Sequence, residues 1–184
     1  AHYTSPTVIK AMYQAVENMG FQPGTVLEPS MGIGNFFGLL PEKLAAAKLY
    51  GVELDDLTGR IAKQLYPNVG ITTDGFEHTR YPDDFFDLAI GNVPFGAYKV
   101  SDKPYDKYKL FIHDYFFIKS IDKLRPGGIL AYISSNGISG GTMDKKDMRA
   151  RKLMAERCDF LGAIRLPNNA FLENAGTGMN TDII

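Results

Sequence analysis

Three short segments carry residue types and spacing suited to gripping a nucleotide. In Val26-Leu27-Glu28-Pro29-Ser30-Met31-Gly32-Ile33-Gly34 an apolar run feeds a turn too tight for side chains, and its glycines let backbone approach a ligand. The next apolar run ends in Glu53-Leu54, where a carboxylate can accept from two ribose hydroxyls. The third glycine of the loop, Gly38, falls late for the dinucleotide fingerprint, which favours an adenosine ligand other than a nicotinamide cofactor. Asp74-Gly75-Phe76 follows a further apolar run; there a carboxylate can accept from an adenine amino group while the ring packs on the base. A bare strand-to-helix turn, with Glu53 and Asp74 as ordinary strand-end and turn residues, stays open as the alternative.

The most specific segment is Phe86-Asp87-Leu88-Ala89-Ile90-Gly91-Asn92-Val93-Pro94-Phe95-Gly96, a strand that ends in an amide, a proline and an aromatic between glycines. It resembles the Asn-Pro-Pro-Phe/Tyr motif of amino-methyltransferases, and Glu28-Pro29-Ser30-Met31-Gly32-Ile33-Gly34 is similar to their cofactor loop. Tyr3-Thr4-Ser5-Pro6 looks like their methionine-binding motif, and Asp74-Gly75-Phe76 like their adenine-contacting motif. Leu124-Arg125-Pro126-Gly127-Gly128, Ser134-Ser135-Asn136-Gly137 and Ala163-Ile164-Arg165-Leu166-Pro167 look closest to type I and related N6-adenine DNA methylases, including the methylase segments of large mobile-element proteins.

The resemblance implies S-adenosylmethionine as cofactor and the exocyclic amine of a flipped adenine as substrate. That amine is a poor nucleophile because its lone pair is delocalised into the ring. By the family analogy the Asn92 side-chain oxygen and the Val93 carbonyl accept its two hydrogens, Pro94 stiffens the turn and Phe95 stacks on the base. Tyr3, Thr4, Glu28, Pro29, Ser30, Gly32, Gly34, Glu53, Leu54, Asp74, Gly75, Phe76 and Asn92 would contact the cofactor. Catalysis would then be orientation and electrostatics, with no covalent enzyme intermediate. The chain departs from the pattern at Val93, where the family has its first proline: the carbonyl acceptor survives but a stiff φ is lost. A protein glutamine-amide methyltransferase, or a domain that keeps the fold without the chemistry, are the competing readings.

Contacts to DNA are expected in the polar loop from Gly96 to Lys109, where Tyr98, Lys99, Lys103, Tyr105, Lys107, Tyr108 and Lys109 interleave cations with aromatics. Tyr98, Lys99 and Lys103 are its candidate contacts. A second basic group, Lys145, Lys146, Arg149, Arg151 and Lys152, reads as a solvated helix face. The chain has 20 Lys and Arg against 21 Asp and Glu, so any attraction for phosphates must be local. One cysteine, Cys158, forms no internal disulfide, and three dispersed histidines offer no zinc spacing, which points to a reducing, cytoplasmic setting without a metal. His78 and His113 read as satisfied structural or surface residues, and Phe111, Tyr115, Phe116 and Ile118 as core.

The elements that must position these residues alternate short β-rich runs with helical patterns. They predict an α/β fold: a doubly wound, mostly parallel Rossmann-like methyltransferase sheet with helices on both faces. Helices are expected from Ser5 to Gly20, Asp55 to Tyr66, Leu110 to Leu124 and Asp144 to Glu156. Strands are expected at Thr25–Glu28, Leu49–Leu54, Val69–Thr72, Phe86–Ile90, Ile129–Ser134 and Phe160–Leu166. The 184 residues suit one catalytic domain. Residues 1–22 would carry the methionine-side motif, 23–80 the cofactor half and 81–184 the substrate half. The β-branched run at Asp182-Ile183-Ile184 reads as a truncated last strand, left unpaired. Target recognition is expected in further domains of the same polypeptide or in a specificity partner, with no membrane segment.

Overall fold

The computed structural model describes residues 3–135, 141–167 and 180–184. Helix α1 spans Pro6–Asn18; Ser5 Oγ accepts from the Val8 amide, and Ile9, Met12, Tyr13 and Val16 face inward at helical spacing. Strand β1 (Thr25–Glu28) leads into the short helix α2 (Asn35–Gly38). β2 (Lys48–Glu53), α3 (Asp56–Leu65) and β3 (Gly70–Thr73) follow, with Asp55 as N-cap of α3 through the Thr58 amide. β4 (Phe86–Asn92), α4 (Ile112–Lys123) and β5 (Leu124–Ser135) form the second half. α5 (Arg149–Ala155), β6 (Ile164–Arg165) and β7 (Thr181–Ile183) complete the described elements.

The sheet has the order β3-β2-β1-β4-β5-β7-β6. β1 through β5 pair in parallel, and β7 lies antiparallel between β5 and β6. Alternate side chains of the central strands supply two cores. Val26, Leu88, Ile90, Ala131 and Ile133 pack with α1 and with Ala62 of α3. Leu27, Ala89 and Tyr132 pack with α4 and with Ala150 of α5. Strands buried on both faces read as near-continuous apolar runs, and that composition requires helices on each side. The expected doubly wound fold is the observed one. The chain runs outward from β1 through β2 to β3, then returns to β4 beside β1. This reversal of direction opens a crevice at the carboxyl ends of β1 and β4.

Several expectations are corrected. The final β-branched run is not an unpaired end, because β7 is bonded on both sides and Tyr132 exchanges backbone hydrogen bonds with Ile184 at 2.9 Å. The charged helix is shorter than expected: Arg151 donates to the carbonyls of Thr142, Met143 and Lys145, tying it to a turn rather than to a further helical stretch. Lys145 is not solvated either, since it meets the buried Asp114 carboxylate at 3.3 Å. The last expected strand contracts to Ile164–Arg165, leaving Phe160 and Leu161 exposed. β5 begins earlier than expected, with Phe86 paired to Leu124 and an irregularity between Phe86 and Leu88 absorbing the Pro126-Gly127-Gly128 corner.

Candidate functional site

The crevice between β1 and β4 holds a cleft of about 330 Å³, lined by Tyr3, Thr4, Glu28, Ser30, Met31, Gly32, Ile33, Asn35, Phe36, Glu53, Asn92, Val93, Pro94 and Phe95. The turn after β1 is shaped by its glycines. Gly32 and Gly34 have φ of 57° and 86°, left-handed values that L side chains resist, and a Cβ on Gly34 would collide with the Tyr66 ring. The turn is fastened to the neighbouring strand ends. Gly32 N donates to Glu53 Oε2 at 2.8 Å, and Asp55 N to Glu53 Oε1 at 2.9 Å. Met31 N donates to the Val52 carbonyl, and Asp74 N to the Glu53 carbonyl, so the ends of β1, β2 and β3 form one ledge. Glu53 keeps lone pairs beyond these two bonds and stands at the cleft wall.

Glu28, at the end of β1, is only 2 % exposed, and its Oε2 has no hydrogen-bond partner. Burial, reinforced by the charge of Glu53, pushes its carboxyl well above the ordinary range. The cleft therefore contains a carboxyl that holds its proton more tightly than an ordinary one, beside one held by backbone amides.

At the end of β4 the Asn92 side chain is fixed from one side. Its Nδ2 donates to Thr4 Oγ1 at 3.2 Å, which brings the segment before α1 onto the site. Its backbone carbonyl accepts from Ser30 Oγ at 2.8 Å, which joins the β1 turn to the β4 end. Asn92 lines the cleft, and its Oδ1 is buried without a partner. A buried amide oxygen held open in this way is a ready acceptor for a donor entering the cleft. Pro94 and Phe95 continue the wall. Val93 is 1 % exposed and packs in the second core, while its amide donates to the Ile133 carbonyl at 3.3 Å, a bond proline could not make. The departure from the Asn-Pro-Pro-Phe pattern thus exchanges a stiff ring for a further ladder bond.

Not every expected site residue gathers here. Phe76 does not face a base in the cleft: it is buried in the second core, 5.0 Å from the Phe116 ring, because its apolar surface finds α4. Asp74 lies outside the cleft lining and is bonded to the Gly75 amide and to His78 Nδ1, both at 2.7 Å, so His78 is a partner of the motif and not an isolated residue. Pro29 and Gly34 are buried behind the lining. Leu54 stands 75 % exposed just beyond Glu53. In the following loop Tyr98, Lys99 and Lys103 are exposed, but Tyr105 is buried and Tyr108 is held by Lys107 above its ring and by Arg157 at its hydroxyl. His113 is buried with neither ring nitrogen hydrogen-bonded, contrary to its reading as satisfied. Sequence reasoning missed Met31, Ile33, Asn35 and Phe36, which line the cleft through the turn's path; the three apolar ones carry no chemical signal of their own.

Among the described residues no cluster of His, Cys, Asp or Glu could hold a metal ion, and no helix is long and apolar enough to cross a membrane.

No family model matches the chain. It is 31% identical over 188 residues to the defense against restriction protein B of Escherichia phage P1, which covers all of this chain and 8% of that protein. It is 27% identical over 146 residues to the modification methylase CviBIII of Paramecium bursaria Chlorella virus NC1A, covering 76% of this chain and 38% of the relative. The chain therefore spans well under half the length of these relatives. Among solved structures, a modification subunit of a putative type I restriction enzyme from Vibrio vulnificus YJ016 superposes with a TM-score of 0.74 at 20% identity, covering 100% of this chain and 43% of that one. The O-methyltransferase from Bacillus cereus in complex with SAH superposes with a TM-score of 0.61 at 17% identity, covering 100% of this chain and 82% of that one. Fold and sequence relatives agree with the motifs on a Rossmann-like methyltransferase sheet, and the chain is similar in sequence to proteins that include modification methylases.

Proposed function

We propose that the chain transfers a methyl group from S-adenosylmethionine to the N6 amine of an adenine flipped out of DNA. The observation that carries this reading is the Asn92 amide: the residue lines the cleft, Thr4 takes its Nδ2, and its Oδ1 is left buried and unpartnered. When bound, S-adenosylmethionine supplies an electrophilic methyl group on a sulfonium centre. The ledge of Gly32, Glu28 and Glu53 fits its adenosine and amino acid parts, with Glu53 Oε atoms accepting from ribose hydroxyls and Tyr3 and Thr4 closing the other end.

Asn92 Oδ1 accepts one hydrogen of the target amine and the Val93 carbonyl the other. This turns the nitrogen lone pair out of conjugation and toward the methyl group. Phe95, in the cleft wall, stacks on the flipped base. Lys99 and Lys103 on the adjoining exposed loop meet phosphates. The amine sheds its surplus proton to water after transfer, and no enzyme nucleophile takes part. DNA as substrate accords with the relatives' names, and sequence specificity would belong to further domains or to a partner chain.

The test separates binding from turnover. Asn92→Ala is expected to lower methyl transfer to adenine-containing DNA by about a hundredfold, the scale of losing one positioned polar group, with S-adenosylmethionine affinity changed by less than about threefold. Equal turnover by Asn92→Ala and the unsubstituted chain would remove Asn92 from the mechanism.

A further inference from the structure

The loop that follows the Asn92 turn hangs on a carboxylate from which solvent is nearly excluded. Asp102 is 8 % exposed; its carbonyl accepts from the amides of Tyr105 and Asp106, at 2.7 and 2.9 Å, and its own amide donates to Asp106 Oδ1 at 2.8 Å. Its Oδ2 accepts from Tyr115 Oη at 2.6 Å and from Lys119 Nζ at 2.8 Å, both on α4. Lys119 is 2 % exposed, an unusual place for an ammonium group. It donates a second bond, 2.7 Å long, to the Phe76 carbonyl, and lies over the Phe76 ring at 4.8 Å and the Tyr115 ring at 5.8 Å. One ammonium group therefore joins the Asp74-Gly75-Phe76 segment to the loop carrying Lys99 and Lys103. The same segment is bonded through Asp74 N to the Glu53 carbonyl, at the cofactor ledge.

We infer that Lys119 is a positioning residue that straps the target-side loop to the cofactor-side segment, so that occupancy of the cofactor ledge sets the order of the loop that meets DNA. The inference rests on the proposed function for the identity of the two sides. Its physical basis is that a desolvated ion pair with satisfied hydrogen bonds has few alternative geometries, whereas an exposed pair has many. Burial works against the charge of Asp102, but the Lys119 and Tyr115 hydrogen bonds outweigh it and hold the carboxyl below its ordinary range. A displacement of Phe76 thus reaches Asp102 through bonded atoms.

Limited trypsin digestion tests this, with cleavage after Lys99, Lys107 and Lys109 followed by mass spectrometry in the presence and absence of S-adenosylhomocysteine. The nucleoside is expected to protect these sites in the unsubstituted chain. Lys119→Met is expected to be cut about tenfold faster without ligand, to bind S-adenosylhomocysteine within about threefold of the unsubstituted affinity, and to gain no protection from it. Lys119→Arg, which keeps a cationic donor, should regain part of that protection. Should Lys119→Met fail to fold, Asp102→Asn with Lys119→Met removes the stranded charge and serves instead. A strap predicts a stable double variant with an open loop, and a purely structural pair predicts a stable one with a protected loop. Cleavage of either folded variant at the unsubstituted rate, or ligand protection that survives the substitution, overturns the inference. Absence of S-adenosylhomocysteine binding by the unsubstituted chain would instead contradict the proposed function, and the ligand-free digests would still decide whether the strap exists.

Discussion

Asn92, Glu28 and Glu53 show how much chemistry depends on which lone pair a neighbour has taken. Glu53 accepts from Gly32 N and Asp55 N, so it shapes the β1 turn, and on the proposed function it also presents the carboxylate that meets the cofactor. Glu53→Ala removes both roles and is expected to weaken S-adenosylmethionine binding by about ten- to a hundredfold in titration calorimetry, the worth of one hydrogen bond to a charged group. Glu28 gives a pH prediction whose sign follows from its raised carboxyl. Because the folded chain holds that proton more tightly than the unfolded one, its contribution to stability is present below the ordinary value of 4.5 and declines as pH rises through the folded value. Urea unfolding across that range should therefore show stability falling with pH relative to Glu28→Gln, and parallel profiles would refute it. Val93→Pro loses the amide bond to Ile133 in exchange for a fixed φ, and a loss of about 1 kcal/mol in urea unfolding is expected. Residue types made Asn92, Glu53 and the glycines legible in the sequence. The sequence misplaced Phe76 because an aromatic beside a presumed base site is equally an aromatic beside an apolar helix, and only the tertiary packing of α4 decides between them.

At the scale of elements, apolar runs and caps are enough to foresee β1, β2, β4, α1 and α3, helped by local start signals such as Ser5 and Asp55. The elements after β5 were less legible. α5 and β6 are short and owe their limits to partners distant in sequence: Arg165 reaches Asp182 at 2.8 Å, and Arg157 reaches Asp122 at 3.1 Å. The strand ends opposite the cleft are tied by one side chain. Asp87 Oδ2 accepts from Thr25 N at 2.6 Å and from Thr25 Oγ1 at 2.9 Å, and the same carboxylate pairs with Arg125. These bonds hold the starts of β1, β4 and β5 in register, which in turn brings Glu28 and Asn92 to the same cleft at the far ends. Asp87→Ala should cost about 1–3 kcal/mol in denaturant unfolding, from a half-buried Thr25 amide left unpaired, while the Thr25 hydroxyl keeps the Phe85 carbonyl. A stability unchanged within error would show that ladder pairing alone fixes the register.

For the whole molecule, charges nearly cancel, so a general field cannot draw DNA to the cleft. On the proposed function, DNA binding would depend on a few cations near the Asn92 turn. Reversing Lys99 and Lys103 to Glu should weaken DNA binding while sparing S-adenosylmethionine binding, and should reduce the slope of log affinity against log salt by about two units. An unaltered slope in anisotropy titrations would place the phosphate contacts elsewhere. On the proposed function the methyl-transfer site lies in the Asn92 cleft, and the greater length of the relatives leaves room for base recognition outside this domain. The most direct test of that claim is nucleoside mass spectrometry of DNA incubated with the chain and S-adenosylmethionine carrying a deuterated methyl group. Label on adenine N6, absent with Asn92→Ala, is the predicted result; label on cytosine, or on protein glutamine with none on DNA, would contradict it.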